Sequence, residues 1–250
     1  MRKLSFFLIL LTGLTWFSQY LPAPSAMATA QILAPILYNP YSSTSCGVAA
    51  VRGCVVKAFT AASATVVWPR KAASGDYCVI FLTSTGTINT PGGWSQQTSG
   101  TISTGKAWNF GAYDRTLNST DISTGSVFVN TNGTWSYAII CMVGAGGGTR
   151  FTAENHSENL TSSPQSVSTF DGSTISSDVV FYFGSQLCTS GCSSSITTTR
   201  GTRQGQAAFN GVVNASISSE TGVSGSLTQT WGYGATLSRN AQVFWVIKTS

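Results

Sequence analysis

Glu154, His156 and Glu158 alternate along the chain, and on an extended strand three side chains so spaced point to one side, as ligands of a divalent ion would. His156 is the single histidine of the sequence. The stretch around it, from Thr149 to Ser163, is polar and lacks a clear period, so a solvated surface loop is the simpler expectation and no metal is expected there. Residues 100 to 107, GTISTGKA, match the phosphate-cradling pattern G-x-x-x-x-G-K but place Ala107 where that motif needs a magnesium-binding hydroxyl. A strand-like Ala-Trp-Asn-Phe follows, not a helix whose N-terminus would face phosphates, and a hairpin connection is expected instead.

Hydrolytic chemistry has few groups to draw on. No Gly-x-Ser-x-Gly elbow occurs, and the lone histidine sits in the least ordered-looking stretch. A glycosidase needs two opposed carboxylates, and the candidates are Asp76, Asp114, Asp121, Glu154, Glu158, Asp171, Asp178 and Glu220. Most flank turns or strand starts; Asp76 follows Gly75 and Asp178 opens an apolar run, positions where a carboxylate commonly caps backbone N–H groups. A protein without catalytic activity and without a cofactor is expected.

Aromatic side chains are the remaining resource. Trp94, Trp108, Tyr113, Trp135, Trp231 and Tyr233 could stack on sugar rings if exposed, while burial in a core is the competing expectation for each. Trp135 precedes an apolar strand and Trp245 lies in the last one, so both are expected inside. Trp94, in the turn-rich Thr-Pro-Gly-Gly-Trp segment, is placed to cap one end of the fold, and Trp231 and Tyr233 are flanked by Gly232 and Gly234. These three, Trp94, Trp231 and Tyr233, are the candidate ligand contacts. Asn118, Asn132, Asn155, Asn159 and Asn214 begin N-x-S/T sequons, a pattern that a chain this rich in hydroxyl residues produces readily by chance.

The elements that must position these groups are short strands. Apolar runs of four to eight residues alternate with clusters of Gly, Ser, Thr, Asn and Asp, and none shows a sustained helical period. Strands are expected near 55–59, 65–68, 77–83, 106–113, 126–130, 135–143, 165–170, 178–184, 206–213, 224–232 and 241–248. About ten strands at this spacing predict an all-β, two-sheet antiparallel sandwich resembling a jelly roll. Val79, Phe81, Ile139, Cys141, Val179, Phe181, Phe183, Phe244 and Val246 are the strongest core candidates. The run Gly-Ala-Gly-Gly-Gly from position 144 cannot sit inside a strand and marks a loop.

The first thirty residues read as an export signal: Arg2 and Lys3, an apolar stretch from Leu4 to Leu14, and Ala28-Thr29-Ala30 as the cleavage site. Residues 31 to 250 are then expected to form a single domain outside the cytoplasm, with no stable membrane insertion. Loss of the leader takes the formal charge from +5 to +3. The remaining cations are scattered and form no run that could track a phosphate backbone, which argues against nucleic acid as a partner. Only 8% of residues are charged, and serine and threonine exceed a quarter of the chain, a composition suited to a surface outside the cell. All six cysteines lie beyond the leader. Cys46 with Cys54, and Cys188 with Cys192, enclose short glycine-containing loops and are expected to form local disulfides. Cys78 and Cys141 each lie inside an apolar strand; two buried thiols are the simpler expectation, and a bridge would require neighbouring strands.

The order of several features between Val66 and Gly144 resembles a family of β-sandwich domains of bacteriophage virion and tail-associated proteins and of some secreted bacterial proteins. Gly75-Asp76 leads into the apolar strand from Tyr77 to Leu82, and Pro91-Gly92-Gly93-Trp94 supplies a Pro-x-Gly-Trp turn. Ala112-Tyr113-Asp114-Arg115 ends a strand in an aromatic, and the strand from Trp135 to Val143 runs into the glycine loop. The resemblance implies an architectural role for these residues, with the tryptophan packing across a sandwich edge, and carries no catalytic assignment. With the leader and cysteines, it implies a structural or adhesive protein of a cell or particle surface. Its partners are expected to be surface components or glycans met through end loops, and it can form a homo-oligomer. A carbohydrate-binding module is the alternative, and a small secreted hydrolase a third.

Overall fold

The computed structural model describes residues 51–60, 63–102, 108–144, 151–158, 165–169, 179–188, 196–209, 213–221, 227–233 and 237–247. These lie in one compact unit that spans residues 41 to 250; the leader expected over residues 1 to 30, and the loop residues 145 to 150, fall outside the described residues. The protein is an all-β sandwich. Among the described residues fifteen strands carry it: β1 (Val51–Thr60), β2 (Ser63–Val67), β3 (Tyr77–Ser84), β4 (Ser95–Ile102), β5 (Trp108–Thr116), β6 (Ser126–Asn130), β7 (Thr134–Met142), β8 (Phe151–Glu158), β9 (Gln165–Thr169), β10 (Val179–Cys188), β11 (Ile196–Thr198), β12 (Thr202–Phe209), β13 (Val213–Thr221), β14 (Leu227–Tyr233) and β15 (Leu237–Ile247). Ten of them form two antiparallel five-stranded sheets, in the orders β1-β7-β3-β5-β4 and β12-β13-β10-β15-β8. A three-stranded sheet (β11-β14-β9) and a two-stranded ribbon (β2-β6) account for the rest.

The apolar run Tyr77-Cys-Val-Ile-Phe-Leu-Thr-Ser folds as a strand because both of its faces are covered, and all eight residues of β3 are buried. One face meets the second sheet. Val56, Val79, Phe81, Phe110, Ala138 and Ile140 cluster there with Phe181, Phe183, Ala215 and Ile217, and the Phe81 and Phe183 rings stack at 5.8 Å. At one end of this interface Thr83, Ser136 and Ser185 close a buried triangle of hydroxyls, with sides of 2.7, 3.0 and 3.0 Å. The opposite face carries Val55, Cys78, Ile80, Leu82, Tyr113, Tyr137, Ile139 and Cys141. It lies under the β2-β6 ribbon, whose Val66 and Val129 point inward while Phe128 points out at 61% exposure.

A short helix, α1 (Ser119–Thr124), helps complete that cover. Its period is too brief to read from hydrophobicity, and its ends define it. Asn118 accepts from the Asp121 N–H, the Asp121 carboxylate accepts from the Asn118 N–H, and Gly125 closes the C-terminus at φ +70°. Trp68 ties the ribbon to α1 by donating its Nε1 to the Asp121 carbonyl at 2.6 Å.

Cys78 and Cys141 face each other across β3 and β7 with Cα atoms 4.1 Å apart, and they are joined by a disulfide. The expectation of two separate thiols fails because the two strands are direct neighbours. Cys54 is also disulfide-bonded; Cys46 and Cys192, and the side chain of Cys188, lie outside the described residues. No helix among the described residues is long and apolar enough to cross a membrane.

Candidate functional site

Each carboxylate whose side chain is described is tied into the scaffold. Asp76, 2% exposed, accepts from the Ala73 N–H at 2.7 Å and from Arg52 Nε at 3.3 Å. Asp114 accepts from the Tyr77 hydroxyl across the first sheet. Asp121 caps α1 and is held by Arg115 from two sides at 3.0 Å, while Arg115 also donates to the Gly93 carbonyl at 2.9 Å. Glu220 receives Arg200 at 2.7 and 3.0 Å and the Tyr182 hydroxyl at 3.0 Å. Burial, reinforced by Glu220 and opposed by Arg200, raises the Tyr182 pKa and keeps its hydroxyl protonated.

Glu154, His156 and Glu158 lie on β8, not in the loop expected from Thr149 to Ser163. The polar sequence misleads because, among the described residues, β8 closes the edge of the second sheet and pairs with β15 alone, and an edge strand has no second neighbour that demands apolar alternation. Their side chains are outside the described residues, as are Asp171 and Asp178. Among the described residues no three His, Cys, Asp or Glu side chains gather to hold a metal ion. GTISTGKA spans the β4–β5 connection: Gly100 to Ile102 end β4, Trp108 begins β5, and the two strands pair antiparallel.

Trp94 is 6% exposed and packs on Trp68, ring centroids 5.8 Å apart, so in this structure its ring lies in the core cluster and offers no free face. The turn before it explains the placement. The Trp94 N–H donates to the Pro91 carbonyl at 3.0 Å, with Gly93 at φ +78° where only glycine sits without strain. Trp108, Tyr113 and Trp135 are buried as well. Trp231 and Tyr233 lie on β14, opposite Thr198 and Ile196 of β11, with side chains outside the described residues.

The feature that sequence reading missed is a cleft of about 190 Å³ on the outer face of the first sheet, beside its edge strand β4. Strand alternation and the pairing register put Gln96, Ser99 and Thr101 of β4 on the same side as Asn109 and Tyr113 of β5, and Thr87 and Ile88 complete the wall. The polar groups are held in place. Asn109 donates Nδ2 to the Gly86 carbonyl at 2.8 Å and accepts from the Thr101 hydroxyl at 2.6 Å. Gln96 accepts from Thr90 at 3.3 Å and donates to Ser99 at 3.1 Å. An isolated bridge between Ile88 and Thr131 fixes the 85–90 segment that forms the far wall.

Tyr113 lies along β5 over Gly111. A Cβ on Gly111 would stand 2.7 Å from the tyrosine oxygen and 2.9 Å from ring carbons, so the absence of a side chain there is what lets the ring lie flat. The residue is 1% exposed, lines the cleft, and its hydroxyl makes no hydrogen bond among the described residues. Burial raises its pKa, so the hydroxyl remains a donor at neutral pH.

No family model, no curated protein and no solved structure matches this chain.

The reading of the site therefore rests on its own chemistry. Among the described residues every polar side chain lining the cleft is neutral: hydroxyls of Thr87, Ser99, Thr101 and Tyr113, and amides of Gln96 and Asn109. Such a set can donate and accept hydrogen bonds but supplies neither a nucleophile–base pair nor an ion pair. It can hold a hydroxylated neutral ligand.

Proposed function

We propose that this protein is an exported, non-catalytic β-sandwich that acts as a structural or adhesive component of a cell or particle surface and meets its partners through end loops and the hydroxyl-rich edge at β4. The observation that carries this reading is the assignment of Asp76, Asp114, Asp121 and Glu220 to scaffold contacts, beside an open cleft whose described lining is neutral. A catalytic carboxylate pair must face substrate; these four face caps, arginines and tyrosines. The Cys78–Cys141 bridge supports an oxidising compartment, in keeping with the leader-like first thirty residues. The resemblance of residues 66 to 144 to virion and secreted sandwich domains supports a particle or cell surface as the place of action.

Fractionation tests the reading. The protein is expected in purified surface or particle fractions and inactive against ester, peptide and glycoside substrates. Recovery only as a free protein with hydrolytic turnover would overturn it. A carbohydrate-binding module is a second reading, favoured by the neutral hydroxyl-and-amide lining of the cleft.

A further inference from the structure

We propose that the cleft beside β4 is a saccharide subsite that takes one neutral pyranose ring, with the Tyr113 hydroxyl and the Asn109 and Gln96 amides as its hydrogen-bonding groups. This rests on the adhesive reading above and gives that reading a ligand class.

Four observations lead to it. First, the Tyr113 hydroxyl lines this cleft and makes no hydrogen bond among the described residues, so its hydrogen bond is left to a ligand or solvent. Second, Asn109 and Gln96 each present a donor and an acceptor on one side chain, and their contacts to Gly86, Thr101, Thr90 and Ser99 fix which way each amide points. Adjacent sugar hydroxyls each donate and accept, so they pair with such an amide as a charged group cannot. Third, among the described residues no cationic side chain lines the cleft, which disfavours phosphate, sulfate and carboxylate ligands, all of which call for Arg, Lys or a helix N-terminus. Fourth, 190 Å³ corresponds to roughly six water molecules at ~30 Å³ each, room for one ring and not for an extended chain. Ile88 adds an apolar wall for the C–H face of that ring.

The subsite is preorganised by backbone as much as by side chains. Gly111 is the seat of the Tyr113 ring, and the Ile88–Thr131 bridge holds the wall across from it. A single shallow subsite of this kind gives weak affinity, which a surface displaying many copies multiplies.

The test is an NMR titration of the full chain, disulfides intact, with the methyl pyranosides of glucose, galactose, mannose, fucose and N-acetylglucosamine. Saturable shifts confined to β4, β5 and residues 87–88 are expected for at least one sugar, at millimolar concentration. Tyr113→Phe should weaken that binding about threefold to tenfold, the worth of one net hydrogen bond, while thermal stability stays at or above that of the parent. Gln96→Ala, an exposed edge substitution, should weaken it comparably without bearing on the fold, and Gly111→Ala should abolish it by displacing the ring. Absence of saturable binding by any of the five sugars, or equal affinity in both Tyr113→Phe and Gln96→Ala, would overturn the proposal. Adhesion of the parent protein to cells or particles, measured alongside, separates the two readings. Adhesion that survives Tyr113→Phe and is not competed by the sugars refutes the subsite and leaves the adhesive role standing, whereas hydrolytic turnover without adhesion refutes the role itself.

Discussion

Toward the second sheet, the first sheet presents Val79, Phe81, Ala138 and Ile140, and these meet Phe181, Phe183 and Ile217 in a continuous apolar interface. Toward the ribbon it presents Cys78, Ile80, Tyr137, Ile139 and Cys141, covered by two short strands, a six-residue helix and a tryptophan-bearing turn. The first face is closed by a whole sheet packed against it, as in any sandwich. The second is closed piecemeal, and its cover is held by bonds: the Cys78–Cys141 bridge, the Arg115–Asp121 pair, and the Trp68 indole on α1. Because the described cover does not extend to β4, the same face that is core at β3 and β7 opens into a cleft between β4 and β5 among the described residues. A packed core and an open cleft thus share one surface, divided by where the ribbon stops.

Breaking the sheet-to-sheet face should cost most. Phe183→Ala removes a 1% exposed ring stacked on Phe81 and is expected to destabilise by ~3–5 kcal/mol in chemical denaturation. On the ribbon side, the Cys78→Ala/Cys141→Ala double substitution opens a crosslink between residues 63 apart and is expected to cost ~2–4 kcal/mol, read as a lowered denaturation midpoint. If this loss exceeded that of Phe183→Ala, the ranking of the two faces would be reversed. Asp121→Ala removes a capping-box partner and the Arg115 pair together; ~1 kcal/mol is expected, visible as increased proteolytic nicking near residues 117–125 with the second sheet unaffected.

The smallest effect sharpens the contrast by pH. Burial raises the pKa of Tyr113 and Tyr137, both on the ribbon side, above the unfolded value near 10. The folded state then holds protons that the unfolded chain has released, so the stability from these groups is complete below pH ~10 and declines as pH rises beyond it. Tyr137→Phe should flatten that alkaline decline in a thermal-melt series. An unchanged slope in the variant would remove Tyr137 from the account.

The architecture was legible wherever burial imposed a pattern. Tyr77 to Thr83 and Trp135 to Val143 read as strands because both faces are covered and nearly every residue is apolar, and the core candidates Val79, Phe81, Ile139, Cys141, Phe181 and Phe183 are all buried. The sequence was silent where a strand needs only its backbone. Ser95 to Ile102 and Val213 to Thr221 are dominated by hydroxyl and small residues and carry little apolar signal, yet β4 pairs with β5, and β13 pairs with both β12 and β10. The region from 202 to 221 reads as one strand near 206–213, while the structure makes two that meet in a hairpin. The cleft was hidden for the same reason. It depends on the register between Gln96 and Tyr113, set just before a bulge in β4, and on Gly111 as a seat for a ring two residues away, neither of which a one-strand pattern can express. Trp94 drew attention by its type; its neighbour Trp68, unremarked, is what occupies its face. The helix had a local signature, Asn118 and Asp121 followed by Gly125, which a search for long periods passes over.

The hydroxyl triangle of Thr83, Ser136 and Ser185 bears on how the two large sheets settle against each other. Apolar side chains tolerate a small sideways slide, since one greasy contact replaces another at little cost. Three alcohols that satisfy one another in a closed ring do not, because a shift of a single ångström or two strands all of them away from water at once. The triangle thus behaves as a peg driven through the sandwich at one end, turning an interface that could shear into one with a single resting alignment.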